Sequence, residues 1–164
     1  MGEQVFRGRY AAELDERGAV VFLIGMRVNH WWRVDKWWRV ATAMPRMLRH
    51  LGKTDAGLLG WRVWLGRTVL VVQYWRSLDE LHAFATTASS PHVAAWREFN
   101  DLVGSDGSVG IWHETYSVEP GSAEAIYGNM PVFGLAAATN HVPIGRGSET
   151  AKARLAKGAA RKTS

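Results

Sequence analysis

The sequence predicts an α+β fold in which an antiparallel sheet carries helices on one face. Three observations point there. Strand and helix periodicities alternate in the order β-α-β-β-α-(α)-β. A two-residue break, Gly66-Arg67, joins two of the strands as a hairpin. A capping box, Ser77-Leu-Asp-Glu80, starts a helix directly after that hairpin.

Residues 1–17 read as an N-terminal lead-in without clear periodicity. Gly18 to Val28 is β-branched and apolar on both alternations, the pattern of a strand buried on both faces. Trp37, Ala41, Met44, Leu48 and Leu51 then step by three and four, an amphipathic helical stripe. Pro45 interrupts it, so a kink or a second short helix is expected, and Gly52 lies near the end. Leu58–Leu65 and Thr68–Trp75 are the hairpin strands, and the capped helix runs to about Ala88. Ser90-Pro91 opens a further helix, with proline at its first position and His92, Trp96, Phe99 and Val103 as its stripe. A Gly104–Gly107 turn leads into a strand through Trp112, and short pieces punctuated by glycine and proline follow Pro120. This order is the ferredoxin-like split pattern. All four strands are apolar on both faces, so a single sheet would leave one face in water. A second copy covering that face predicts a homodimer.

The 164 residues suffice for one domain, placed at 18–145, and 47 % hydrophobic content suffices for a core. Residues 146–164 hold Arg146, Lys152, Arg154, Lys157, Arg161 and Lys162 against Glu149, which accounts for the whole formal charge of +5. This segment is expected to be a flexible, solvated basic tail. The rest is neutral, so nucleic acid is not an expected partner. No apolar run reaches the length of a membrane span and no secretory h-region opens the chain, so no membrane partner is expected either. The lack of cysteine excludes disulfides, thiolate metal sites and a cysteine nucleophile, and a cytoplasmic protein is the simplest reading.

One resemblance goes further. The blocks VVFLIGMRVN (20–29), AMPRML (43–48), VVQYWRSLDEL (71–81), HVAAW (92–96), VGIWHETY (109–116) and EAIYGNMPVFGL (124–135) together resemble the dimeric α+β barrel superfamily. Within it they are similar to the monooxygenase-like family related to fungal antibiotic-biosynthesis monooxygenases. The last two blocks are the most specific. The resemblance implies a dimeric α+β barrel fold. It also implies a small monooxygenase acting on an aromatic, polyketide-like or terpenoid-like molecule without flavin or metal. The alternatives within the superfamily are a haem enzyme of the aldoxime dehydratase kind and a non-enzymatic dimeric binding protein.

The candidate site residues come from polar groups set in apolar surroundings. His113 and Glu114 interrupt the strand-like run 110–116 and should alternate to opposite faces. His113 suits a general base and Glu114 a supporting catalytic carboxylate. Asn29, Tyr127 and Asn129 are candidate donors to a substrate oxygen. Trp38 and Trp112, two of nine tryptophans, are candidate pocket walls, although such side chains also serve as core and interface anchors. His92 would be the proximal ligand if haem were bound. No HExxH, GxSxG, phosphate loop or metal-spaced cluster occurs, so no metal is expected.

Overall fold

The computed structural model describes residues 3–51, 55–87, 93, 97, 99–101 and 105–162, with backbone alone for 43, 44, 46, 47, 50 and 162. The elements are β1 (Phe6–Glu13), β2 (Ala19–Val28), α1 (Val34–Leu51), β3 (Leu58–Trp64), β4 (Thr68–Trp75), α2 (Leu78–Thr86), β5 (Val109–Val118), β6 (Ile126–Met130), α3 (Gly134–Ala138), β7 (Asn140–Pro143) and α4 (Ala151–Lys162). Residues 93, 97 and 99–101 are also helical. The sheets are four-stranded, in the order β3-β4-β2-β5, and three-stranded, in the order β6-β1-β7. The four-stranded order is that of the ferredoxin-like α+β fold, with the first strand of the split pattern inside and the last at an edge. The chain divides into two compact units, Phe22–Thr115 and Met1–Val21 with Tyr116–Ser164.

Within 22–115, the hairpin forms as its sequence dictates: β3 and β4 pair antiparallel, with Trp64 opposite Leu70 and Leu58 opposite Trp75. Ser77 caps α2, its Oγ accepting from the Glu80 amide at 3.1 Å. α1 runs through Pro45 as one helix, so no second short helix forms. The Arg49 guanidinium donates to the Pro45 carbonyl at 3.3 Å. Leu48, Leu51, Val71, Trp75 and Leu81 are buried core. The helix expected from Ser90-Pro91 begins on residues outside those described.

In the other unit both the lead-in and the tail hold regular elements. The lead-in holds β1, the central strand of the three-stranded sheet, antiparallel to both β6 and β7. Its alternation is hidden by a bulge: Arg7 and Gly8 face the single residue Asn129, between the pairs Phe6–Met130 and Arg9–Gly128. Gly8 takes φ +94° and Asn129 φ +53°, the left-handed region that glycine and asparagine tolerate.

The basic tail is not a solvated extension along 151–162. It forms α4, since Ala, Lys and Arg are strong helix formers. Charge rather than an apolar stripe holds it: Arg154 pairs with Glu124, while Lys157 (2.8 Å) and Arg161 (2.6 Å) both reach Glu13. Gly158 allows close approach, because a Cβ there would lie 2.7 Å from the Gly121 amide nitrogen. Under α4 lies a cavity of about 40 Å³, lined by Glu13, Leu14, Glu124, Leu135, Val142 and Arg154 among others, with room for a water or two.

Candidate active site

Side-chain parity sorts the four-stranded sheet into two faces. On β4, Val71, Gln73 and Trp75 are buried, and the Trp75 ring lies 5.5 Å from Phe84 of α2, so this is the helix-covered face. On β3, Trp61 stands opposite Gln73 and Val63 opposite Val71 on that same face. For β2, Val28 donates to the Arg67 carbonyl at 3.3 Å and Arg27 to the Thr68 hydroxyl at 3.0 Å. Continuing that antiparallel register without a bulge sets Phe22 level with Gln73 and places Phe22, Ile24, Met26 and Val28 on the helix-covered face. On β5, the His113 ring lies 5.7 Å from Phe22. A row Trp61–Gln73–Phe22–His113 therefore crosses all four strands on one face, over about 15 Å at the usual strand spacing.

The chemistry of this row centres on Gln73. It is 1 % exposed, and its Oε1 accepts from the Trp75 indole N–H at 2.9 Å. Indole nitrogen only donates, so this bond fixes the amide orientation and turns Nε2 away from Trp75. That Nε2 is buried without a hydrogen-bond partner among the described residues. An orphan buried amide costs about 1–3 kcal/mol, a cost that a substrate oxygen accepting from Nε2 would remove. Trp61 and Phe22 flank the amide as flat apolar walls, and His113 ends the row on the exposed stretch of β5. The described residues thus form a floor that runs from a dry donor to a solvent-accessible imidazole.

The alternation expected of His113 and its neighbours is observed. A Cβ on Gly25 would lie 2.6 Å from Trp112 Nε1, so that indole covers Gly25 on the face away from the helices. Trp112 therefore stands outside the row. Glu114 shares its parity and is exposed. Asn29 is engaged locally: its Nδ2 donates to the Gly107 carbonyl at 2.9 Å and its amide to the Ser108 carbonyl at 3.0 Å. Trp38 lies on α1, 60 % exposed, edge-on to Trp37. Nearby, Lys36 and the Ser108 hydroxyl and amide hold the Asp106 carboxyl below its usual range.

Tyr127 and Asn129 belong to the other unit, where both have backbone partners. The Tyr127 hydroxyl accepts from the Ala136 amide at 3.3 Å. Burial raises its pKa and that amide partly offsets the rise. Asn129 Oδ1 accepts from the Gly8 amide at 2.9 Å and closes the bulge. His92 lies outside the described residues. Among the described residues no three His, Asp or Glu side chains gather to hold a metal.

Three residues of the row, Trp61, Gln73 and Phe22, were not singled out from the sequence. A signal existed for Gln73: it is the lone amide in the apolar strand Thr68–Trp75.

Comparison with known proteins supplies a family. The family described as Monooxygenase af470-like matches residues 19–135. Monooxygenase af470 of Aspergillus fumigatus is 28 % identical over 135 residues, covering 74 % of this chain and 46 % of its own length. The chain thus spans about half the length of that curated relative. Among solved structures, an aldoxime dehydratase in complex with butyraldoxime superposes with a TM-score of 0.62 at 14 % identity, over 80 % of this chain and 40 % of its own. SnoaB, a cofactor-independent oxygenase from Streptomyces nogalater, superposes with a TM-score of 0.44 at 10 % identity, over 62 % and 94 %. At 14 % identity, what the chain shares with the aldoxime dehydratase is the fold.

Proposed function

Because the chain belongs to the monooxygenase af470-like family, we propose that it is a small monooxygenase whose substrate lies against the helix-covered face of the four-stranded sheet. The observation that carries this reading is the orphan Nε2 of buried Gln73. Its complement is an oxygen acceptor on a flat skeleton, such as a phenol, hydroxyquinone or enolisable ketone. His113 lies two strands away, about 10 Å at normal strand spacing, a span that fits a two- or three-ring skeleton.

In this mechanism His113 removes an acidic O–H or C–H proton at the open end of the row. Gln73 holds negative charge on the substrate oxygen at the dry end. The resulting anion donates one electron to O2, and radical and superoxide combine at carbon. The peroxide anion takes the proton back from His113, and the hydroperoxide loses water as its O–O bond and the C–H bond on the same carbon break, leaving a carbonyl that retains one oxygen atom. The substrate supplies the electrons, so neither flavin nor metal is required. Trp61 and Phe22 position the ring and exclude water.

The remaining finer readings are part of the same proposal. The protein works in the cytoplasm as a homodimer. The support is Trp64 and Leu65, both exposed on or beside β3, and light scattering should give about twice 18.3 kDa. No helix among the described residues is long and apolar enough to cross a membrane. The test of the function is oxygen uptake by purified protein with a panel of phenols and hydroxyquinones, followed by incorporation of 18O from 18O2. Uptake that survives chelation in a colourless protein supports the reading. A Soret band with activity dependent on haem replaces it with the haem alternative.

A further inference from the structure

We propose that the tryptophan-rich start of α1 is a docking surface for an anionic lipid bilayer, on which the protein rests without spanning it. The segment 31–39 reads WWRVDKWWR. Trp31, Trp32, Val34 and Trp38 are 50, 75, 51 and 60 % exposed, four large apolar side chains in solvent within eight residues.

The patch is preorganised. The Trp37 indole N–H donates to the Trp31 carbonyl at 3.0 Å. Trp37 meets Trp31 and Trp38 edge-on, with centroids 6.1 and 6.0 Å apart. Trp32 stacks on His30 at 4.8 Å. Ordering costs on binding are therefore small.

Charge selects the occupant. Around the indoles stand Arg33, Lys36 and Arg39 against Asp35 and Asp106. Arg33 pairs with Asp35 at 2.9 Å, and Lys36 pairs with Asp106. Arg39 is exposed on the same helix, so the patch is net cationic. A second copy docked symmetrically through this surface would bring the excess cations together. An anionic headgroup layer answers both features: indoles settle at its depth and guanidinium meets phosphate. Membrane partners were set aside on the sequence for want of a spanning run, but an interfacial helix needs no such run.

The test uses the full chain with vesicles of phosphatidylcholine, with and without phosphatidylglycerol, and with brominated lipid as a contact quencher of tryptophan. The wild-type protein should co-sediment with the anionic vesicles and lose fluorescence to the brominated lipid. The double variant Trp32→Ser/Trp38→Ser should partition about tenfold less, and Arg39→Glu should lose the preference for anionic lipid. Folded wild-type protein that neither sediments nor is quenched overturns the proposal, whatever the variants do. So does equal partition of a folded double variant, or a wild-type dimer that the double variant turns into monomer, since the patch would then be a subunit contact.

Discussion

Replacing Gln73 by Met separates a residue kept for a ligand from one kept for the fold. Methionine fills nearly the same volume without a donor. Two effects on stability oppose each other. The orphan Nε2 disappears, a gain of about 1–3 kcal/mol, and the Trp75 N–H loses its acceptor at 2.9 Å, a loss of similar size. The melting temperature should therefore move by no more than about 4 °C. Gln73→Met/Trp75→Phe removes the stranded donor as well, a gain of about 1–3 kcal/mol over the single variant that the cavity left by the smaller ring at this fully buried site offsets. Ligand binding behaves differently. Loss of a dry donor to a partly charged oxygen weakens substrate or product binding by roughly ten- to a hundredfold. Thermal melts of both variants, with a fluorescence titration of a phenolic ligand, measure the two effects. Gln73→Met that destabilises by more than about 3 kcal/mol while binding is unchanged would refute the reasoning, since the amide would then be structural.

His113→Ala should leave folding intact, because the imidazole is exposed, and lower turnover by roughly two to four orders of magnitude. Gly25→Ala drives a methyl to 2.6 Å from Trp112 Nε1 and 2.5 Å from the Val69 carbonyl, so a shifted tryptophan emission and a lower melting temperature are expected. Truncation at residue 145 removes α4 and strands Glu13 and Glu124; a fall of roughly 5–10 °C in melting temperature is expected. Burial alone would raise the Glu13 pKa, but its bonds and ion pairs with Lys157 and Arg161 outweigh this and leave it lowered. Its stabilising effect is thus complete above the unfolded value of about 4.3 and is lost as pH falls through the lower folded value. Glu13→Gln should flatten the acid limb of the stability curve, read by circular dichroism.

The strand, helix and hairpin sequence of the ferredoxin-like unit is legible because each element carries its own local signal: continuous apolar runs for β2 and β4, a 3-4 stripe for α1, Gly66-Arg67 for the turn and Ser77 for the cap. β1 escapes because the bulge at Arg7-Gly8 breaks the period of two. α4 escapes because its docking depends on Glu13 and Glu124, which lie far away in sequence, and composition alone gives no hint of that pairing. The site is legible only in part. His113 stands out as a titratable group in an apolar strand, and its alternation with Trp112 follows from strand geometry. Gln73 matters for what its amide lacks, a property visible only once Trp75 is seen to hold the oxygen. Asn29 and Asn129 attract attention as donors, yet Asn29 holds the Gly107 carbonyl and Asn129 closes the bulge in β1, roles their short amides fill well.

The most direct test of the site is the side-chain amide signal of Gln73 in a 15N spectrum. Gln4 is the other glutamine of the chain, and the Gln73→Met variant identifies which pair is which. In the free protein the Gln73 Nε2 protons should resonate upfield, as expected for a buried group without an acceptor. On titration with a phenolic or hydroxyquinone ligand they should move downfield and saturate with the binding curve, while the Trp75 indole N–H, already bonded, stays nearly still. A ligand that binds and turns over while the Gln73 amide protons do not move would contradict the account, because the substrate oxygen would then lie elsewhere.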